Sequence, residues 1–382
     1  MSRSTIESLF KEKFNAQPLL VRSPGRVNLI GEHTDYNEGF VLPAAIDKET
    51  IVGVTLRDDD LIHIYSADFD DDFQGSLSAL KPSEKEWPNY IMGVADQLQK
   101  AGHKLKGFNC VFGGNIPIGA GLSSSAALEC ATIFALNELN KLHVDKVQLV
   151  KFSQAAENQF VGVNCGIMDQ FISMFGKKDN VFKLDCRDLT YEYFPFQLQG
   201  IKIVLLDTNV KHSLASSEYN TRRQQCEAGV EILRKYNPSI NSLRDVNLEL
   251  LRAHKNEIEV EVFKRCEYVI EENERLISGC NSLRDGDIKA FGQKMYGSHE
   301  GLSKKYEVSC RELDFLVDFA KKHDIVLGAR MMGGGFGGCT INLVKDEGID
   351  AFIEKASIEY KAAMGLELKS YVAVIEDGTC II

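Results

Sequence analysis

The sequence holds one tryptophan, Trp87, and eight prolines in 382 residues, and none of its ten cysteines is spaced as C-x-x-C. That excludes the common zinc and dithiol motifs. The thiols, scattered from Cys110 to Cys380, read as reduced and mostly structural in a cytosolic protein. Cys130 sits inside an apolar helical run, where a thiol behaves as a small hydrophobe. No apolar run approaches ~18 residues, so no membrane-spanning helix is expected. Residues 1–14 carry the charges of a surface helix and lack an apolar h-region, so no signal peptide is expected. Basic residues are outnumbered, 44 against 55, for a formal charge of −11. That deficit argues against nucleic acid and anionic membrane as partners, while an anionic substrate needs only a local positive site. Internal repeats and low-complexity tracts are missing, and nothing calls for an obligate protein partner.

What is present is ordinary globular composition, 44% hydrophobic and 26% charged. At ~150 residues per domain the chain should hold about two domains. The boundary falls around 196–200, giving segments 1–195 and 196–382. Along the first segment the pattern predicts a short helix over 8–14 and a turn at Pro24-Gly25. A hairpin of 51–56 and 62–67 is predicted around Arg57-Asp58-Asp59-Asp60, and Asp70 to Asp72 reads as a second solvated loop. Helices are predicted over 89–100 and over 144–161, the latter capped by Asp145. Strands follow at 181–184 and 201–206, then a charged helix at 218–233 and further helices to about 322. Strands at 340–344 and 370–375 close the chain.

Chemistry concentrates in three places. Gly119-Ala120-Gly121-Leu122-Ser123-Ser124-Ser125 lies between an extended apolar run (108–112) and a helical pattern reaching about Asn140. A glycine-rich loop opening a helix offers unpaired N–H groups and a positive dipole end to an anion. No Lys follows the glycines, so this is not a Walker A loop, and Ser124 stands where G-x-G-x-x-G wants its third glycine. A plain Ser-capped helix start is the alternative reading of this piece alone. The second place runs from Val21 to Tyr36, where Arg22, Arg26, Glu32, His33, Asp35 and Tyr36 alternate with Val27, Leu29 and Ile30. Polar groups on a partly buried segment need partners; a polyhydroxylated ligand would supply them, as would internal salt bridges in a solvated turn. The third is Gly333-Gly334-Gly335-Phe336-Gly337-Gly338, five glycines in six positions, which implies close backbone approach. Taken singly, Glu157 reads as a surface glutamate, Asp169 as a helix cap and Trp87 as a core residue. Taken together, the three places and these carboxylates fit phosphoryl transfer from a nucleotide. That chemistry needs a phosphate cradle, oxygen ligands for Mg²⁺, a cation and a carboxylate near the acceptor hydroxyl.

Over essentially its whole length, and in the same order, the chain resembles the galactokinase branch of the GHMP small-molecule kinase family. Gly25-Arg26-Val27-Asn28-Leu29-Ile30-Gly31-Glu32-His33-Thr34-Asp35-Tyr36-Asn37 is similar to that branch's sugar signature, Pro117 to Ala127 to the family's ATP loop, and Gly333 to Gly338 to its third motif. The resemblance implies an α+β fold of two domains, an N-terminal mixed-sheet α/β domain and a C-terminal ferredoxin-like one, with the active site in the cleft between them. It implies phosphorylation of the anomeric hydroxyl of α-D-galactose by ATP with Mg²⁺, in the cytoplasm. By position it implies Asp169 and Arg26 as catalytic residues and Glu32, His33, Thr34, Asp35, Gly166 and Tyr219 as sugar contacts. Gly119, Ala120, Gly121, Leu122, Ser123, Ser124 and Ser125 would hold ATP phosphates, with Ser66 and Trp87 near the nucleotide, and Ser125 and Glu157 would ligate Mg²⁺. A kinase for N-acetylgalactosamine or another sugar is one alternative. A non-catalytic galactose sensor is the other; the intact Ser123 to Ala127 run favours catalysis.

Overall fold

The computed structural model describes residues 1–117, 119–196, 199–210 and 215–382, with the backbone alone at 215–217. Thus Ile118 of the glycine-rich loop, and part of the 196–200 boundary, lie outside the described residues. The strands in chain order are β1 (Leu19–Asn28), β2 (Phe40–Val41), β3 (Pro43–Leu56), β4 (Leu61–Ser66), β5 (Asp71–Ser76), β6 (Phe108–Gly114), β7 (Asn180–Asp185), β8 (Tyr191–Pro195), β9 (Ile201–Asp207), β10 (Val326–Met331), β11 (Cys339–Lys345), β12 (Lys369–Ala373) and β13 (Cys380–Ile381). They form a six-stranded sheet ordered β13-β1-β3-β6-β4-β5, a four-stranded sheet ordered β10-β11-β9-β12 and a three-stranded sheet ordered β2-β7-β8. The first is mixed, since β4 runs parallel to β6.

Two local readings are corrected here. The hairpin of 51–56 with 62–67 does not form: β6 lies between β3 and β4 and pairs with both. Its run Phe108 to Phe112 is almost wholly buried, so hydrophobicity places it centrally and outweighs the short acidic link. The actual hairpin joins β4 to β5, so Asp71 and Asp72 are strand residues and not loop. Nor is Pro24-Gly25 a turn. It is an irregularity inside β1, where the register with β3 shifts between Pro24 and Arg26.

Helices α1 (Arg3–Phe14), α3 (Ser124–Leu139) and α5 (Met168–Phe175) pack on the first sheet, and α2 (Glu86–Lys100) and α4 (Lys146–Ala156) pack on α3. Helix α3 is buried nearly all round, which fits a central helix. Ala126, Ala127, Ala131 and Ala135 let it sit close to β1 and β3. Helices α6 (Ala215–Arg234), α7 (Leu248–Ala253), α8 (Val260–Arg284), α9 (Ile288–Gly301) and α10 (Arg311–Ala320) come between β9 and β10, and α11 (Ile349–Met364) between β11 and β12. With helical segments after its first and third strands and the antiparallel order β10-β11-β9-β12, the second sheet has the expected ferredoxin-like topology. The two sheets share one core. Val27, Leu29, Ile30 and Leu122 from the first segment meet Ile341, Leu343, Met332 and Leu276 from the second, and β13 returns to pair with β1. All ten cysteines are free thiols, and no helix of the described residues is long and apolar enough to cross a membrane.

Candidate active site

The irregularity in β1 brings Arg26 against the glycine-rich loop. A Cβ on Gly25 would stand 2.7 Å from the Leu122 carbonyl oxygen, so only glycine allows this approach. The Arg26 N–H donates to Leu122 O (3.1 Å) and its Nη1 to Gly121 O (2.5 Å). Nε and Nη2 grip Asp169 at 2.7 Å each, a bidentate charge-assisted pair. Burial works against the Arg26 charge, but the Asp169 carboxylate more than offsets it and raises the guanidinium pKa. Ser123 also donates its hydroxyl to Asp169 Oδ2. Ser123 begins α3 in a left-handed conformation, φ +59°, with no side-chain cap bond. Such a conformation costs a non-glycine residue on the order of 1 kcal/mol and is typical of functional sites. Gly119 and Gly121 have φ of +80° and +74°, so the loop needs glycine at both. Ala120 and Leu122 turn into the core. The loop therefore offers its backbone, Ser123, Ser124 and Ser125.

Beyond the loop, α4 ends in a π-turn, Glu157–Val161, a feature frequent at functional sites. Glu157 is buried, against the plain reading of it as a surface residue. Ser125 Oγ donates to its Oε1 at 3.1 Å, and Gln170 Nε2 to its Oε2 at 2.6 Å. The same Gln170 nitrogen reaches Glu129 Oε2 at 3.0 Å. Burial, then the like charge of Asp169, pushes the Glu157 carboxyl up to about 7. Sequence reasoning missed Gln170 and Glu129. The signal for the latter was a carboxylate inside the otherwise apolar run Ala126 to Ala131.

Two cavities flank this centre. One, of about 230 Å³, is lined by Arg26, Glu32, His33, Asp35, Glu157, Gly166, Asp169, Tyr219 and the backbone at Gly333 and Gly334. A Cβ on Gly166 would fall inside the Asp35 carboxylate, so glycine is required there. The Tyr219 ring lies 5.2 Å from that of His33. Glu32 is committed to the protein: its carboxylate takes Arg330 Nη2 (2.7 Å), Asn28 Nδ2 and the Gly333 N–H. It still has lone-pair capacity for another donor. Thr34 is not brought to the cavity wall; its hydroxyl bonds Gly31 O at 2.9 Å and Phe40 O at 2.5 Å. The second cavity, about 410 Å³, is lined by Trp87, Tyr90, Phe112, Phe69 and Ile116 together with Ser124 and Ser125. Ser66 is buried and does not line it; its Oγ accepts from the Phe69 N–H at 3.3 Å. The Ser125–Glu157 bond links the two walls, Glu157 lining the first cavity and Ser125 the second. The third glycine cluster closes the loop from the other side: a Cβ on Gly333 would be 3.3 Å from Gly121 O, and one on Gly338 3.3 Å from Ala120 O.

Asp35 is pushed up to about 7 by burial and then by the like charge of Asp169. Its ordinary value is 3.8, so the folded chain binds this proton more tightly than the unfolded one. The stability it contributes is full below about pH 4 and is lost as pH rises through about 7. Without added ligand, Asp35→Asn should therefore gain melting temperature relative to the parent between pH 5 and pH 8. A constant difference across that window would contradict the shift.

Comparison with known proteins follows the same division. The galactokinase galactose-binding signature matches residues 8–56, the GHMP kinases N terminal domain 89–177 and the GHMP kinases C terminal domain 280–362. The chain is 42% identical to the galactokinase of Roseiflexus sp. over 97% of its own length and 94% of the relative's. It is 45% identical to that of Clostridium acetobutylicum, over 93% and 92%. Among solved structures, Lactococcus lactis galactokinase complexed with galactose superposes with a TM-score of 0.96 at 36% identity, covering 99% of each chain. The Methanococcus jannaschii mevalonate kinase, at 17% identity and a TM-score of 0.68 over 95% and 99%, shares the fold. With relatives this similar over nearly its whole length, and with the sugar signature and both kinase domains matched, the chain belongs to the galactokinase family of GHMP kinases.

Proposed function

We propose that this chain transfers the γ-phosphoryl group of ATP to the anomeric hydroxyl of α-D-galactose, giving galactose 1-phosphate and ADP. The observation that carries the reading is the Arg26–Asp169 pair beside Ser123 in the wall of a sugar-sized cavity, with an aromatic cavity reached across the Ser125–Glu157 bond. Trp87, Phe112 and Tyr90 offer flat apolar surface to a nucleotide base. The loop from Gly119 to Ser125 offers N–H groups and hydroxyls to its phosphates. Asp35, His33, Gly166 and Tyr219 line the sugar's side. Asp169 accepts the proton of the sugar hydroxyl as its oxygen bonds to the γ-phosphorus and the bond to the ADP oxygen breaks. Arg26 orients that carboxylate and stands by to offset charge on the transferring group.

Ser125 and Glu157 fit a Mg²⁺ ion: both are hard oxygen donors, and Mg²⁺ habitually takes one or two protein ligands besides phosphates. When bound it neutralises phosphate charge. We place the domain division at 1–195 and 196–382 and the protein in the cytoplasm; ten unpaired thiols support the latter.

Two substitutions separate the parts. Glu157→Gln should raise the Mg²⁺ concentration needed for half-maximal rate while sparing galactose binding; an unchanged requirement would remove Glu157 from the metal. Asp35→Ala should raise KM for galactose about ten- to a hundredfold, the equivalent of roughly 1–3 kcal/mol for charge-assisted contacts to hydroxyls. KM for ATP should hold. An equal effect on ATP would make the N-terminal signature a nucleotide or structural feature. The function itself is tested by ADP release across galactose, its 2-deoxy and 2-acetamido forms, glucose and mevalonate. Galactose should give the highest kcat/KM, and a preference for the 2-acetamido sugar would overturn that choice.

A further inference from the structure

We propose that Tyr36, Tyr306 and Cys226 form a hydrogen-bonded chain that holds His33 as its Nε2–H tautomer, so that the ring donates a hydrogen bond into the sugar cavity. This rests on the sugar reading of that cavity. Tyr306 and Cys226 are then positioning residues of a site to which they contribute no wall.

The geometry is continuous. His33 Nδ1 lies 2.7 Å from Tyr36 OH, Tyr36 OH 2.8 Å from Tyr306 OH, and Tyr306 OH 3.2 Å from Cys226 Sγ. Tyr306 and Cys226 are fully buried. The imidazole is boxed by the rings of Tyr36, Tyr219 and Tyr306, with centroids at 5.8, 5.2 and 4.9 Å. Its backbone is left-handed, φ +62°, so the ring is carried on a strained and over-determined segment. Nε2 is buried and makes no hydrogen bond of ordinary geometry, a backbone contact of the ring with Gly334 aside, and His33 and Gly334 both line the cavity. Burial drives the His33 pKa down to about 3, so the ring is neutral and carries one proton.

That proton's place follows from how the chain can be polarised. In one direction Cys226 S–H donates to Tyr306, Tyr306 to Tyr36, and Tyr36 to Nδ1, leaving the proton on Nε2. In the other, Nδ1–H donates to Tyr36 and the last phenol ends on sulfur. The first direction gives a phenol, a strong donor, to imidazole nitrogen, a strong acceptor. The second spends a phenol donor on thiol sulfur, a weak acceptor. The first is therefore favoured, and cooperative polarisation reinforces it. It also adds a donor, beside the Tyr219 phenol, to a wall rich in carboxyl groups. Glu32, Asp35 and Asp169 present carboxylate acceptors there, and the Arg26 donors are already engaged. A sugar hydroxyl oxygen needs a donor.

The test is ¹H–¹⁵N multiple-bond correlation on protein with ¹⁵N-labelled histidine near pH 7.5, the His33 signals being those lost in His33→Gln. The parent should show protonated Nε2 and unprotonated Nδ1. Tyr306→Phe should mix the tautomers and raise KM for galactose about two- to tenfold, the range of one hydrogen bond, more than it lowers kcat. Tyr36→Phe, which breaks the chain at the ring, should do the same, and Cys226→Ser, which replaces the weak acceptor sulfur with a hydroxyl oxygen, should also weaken the preference for Nε2–H. An Nδ1–H parent would overturn the proposal, as would a Tyr306→Phe protein of parental melting temperature with both tautomer and KM unchanged. The spectrum needs no turnover, so an Nε2–H parent without galactose phosphorylation would support the tautomer device while sinking the sugar reading.

Discussion

Asp169→Asn is expected to fold, to bind galactose, and to lose on the order of 10²–10⁴ in kcat, the usual contribution of a positioned general base. Asparagine keeps the shape between Arg26 and Ser123 but cannot take the proton of the sugar hydroxyl. The present carboxylate receives two donors from Arg26 and one from Ser123, which leaves it lone-pair capacity for one more hydrogen, the one to be removed. The substitution also leaves the Arg26 charge without its buried partner. Melting temperature and galactose binding must therefore be measured beside kcat. Near-parental kcat in a folded variant would remove Asp169 from the chemistry.

The largest expected effect on stability lies at Glu32. Its partner Arg330 is completely buried and also donates to the carbonyls of Leu29 (2.9 Å) and Asn28 (2.7 Å). Glu32→Ala leaves that guanidinium without a counter-charge and the Asn28 amide and Gly333 N–H without acceptors. Breaking a buried pair from one side costs about 3–5 kcal/mol. This bond ties the sugar signature to the third glycine motif, so the loss should appear as a lower denaturant midpoint for the whole chain. Arg330→Met in the same protein should restore part of it, because the stranded charge is then gone. A single variant within ~1 kcal/mol of the parent would mean that Glu32 serves ligand only.

What the sequence disclosed about the site was contiguous along the chain. Arg26 to Asp35, Gly119 to Ser125 and Gly333 to Gly338 each carry a recognisable local pattern, and the glycines fall where positive φ or close approach demands them. What it hid depends on tertiary pairing. The predicted 51–67 hairpin failed because β6, distant in sequence, competes better for the middle of the sheet. Pro24-Gly25 read as a turn because the same two residues serve a turn and a bulge equally well. The bonds Gln170–Glu129, Tyr306–Tyr36 and Arg330–Glu32 span 41, 270 and 298 residues, and no local spacing encodes that. Arg330 did leave a trace, a cation near the end of a strand whose other residues, Val326, Leu327, Gly328, Ala329 and Met331, are uncharged. Thr34 and Ser66 show the converse. The resemblance put them near ligand; in the structure the Thr34 hydroxyl bonds the Gly31 and Phe40 carbonyls and Ser66 Oγ accepts from the Phe69 N–H.

The central claim is that Asp169 faces the anomeric hydroxyl of galactose. It is tested most directly by incubating the purified protein with ATP, Mg²⁺ and [1-¹³C]galactose and recording ¹³C and ³¹P spectra of the product. A labelled carbon coupled to phosphorus, in the α configuration, is the predicted result. Phosphate on any other hydroxyl, or hydrolysis of ATP with the labelled sugar left intact, would contradict it.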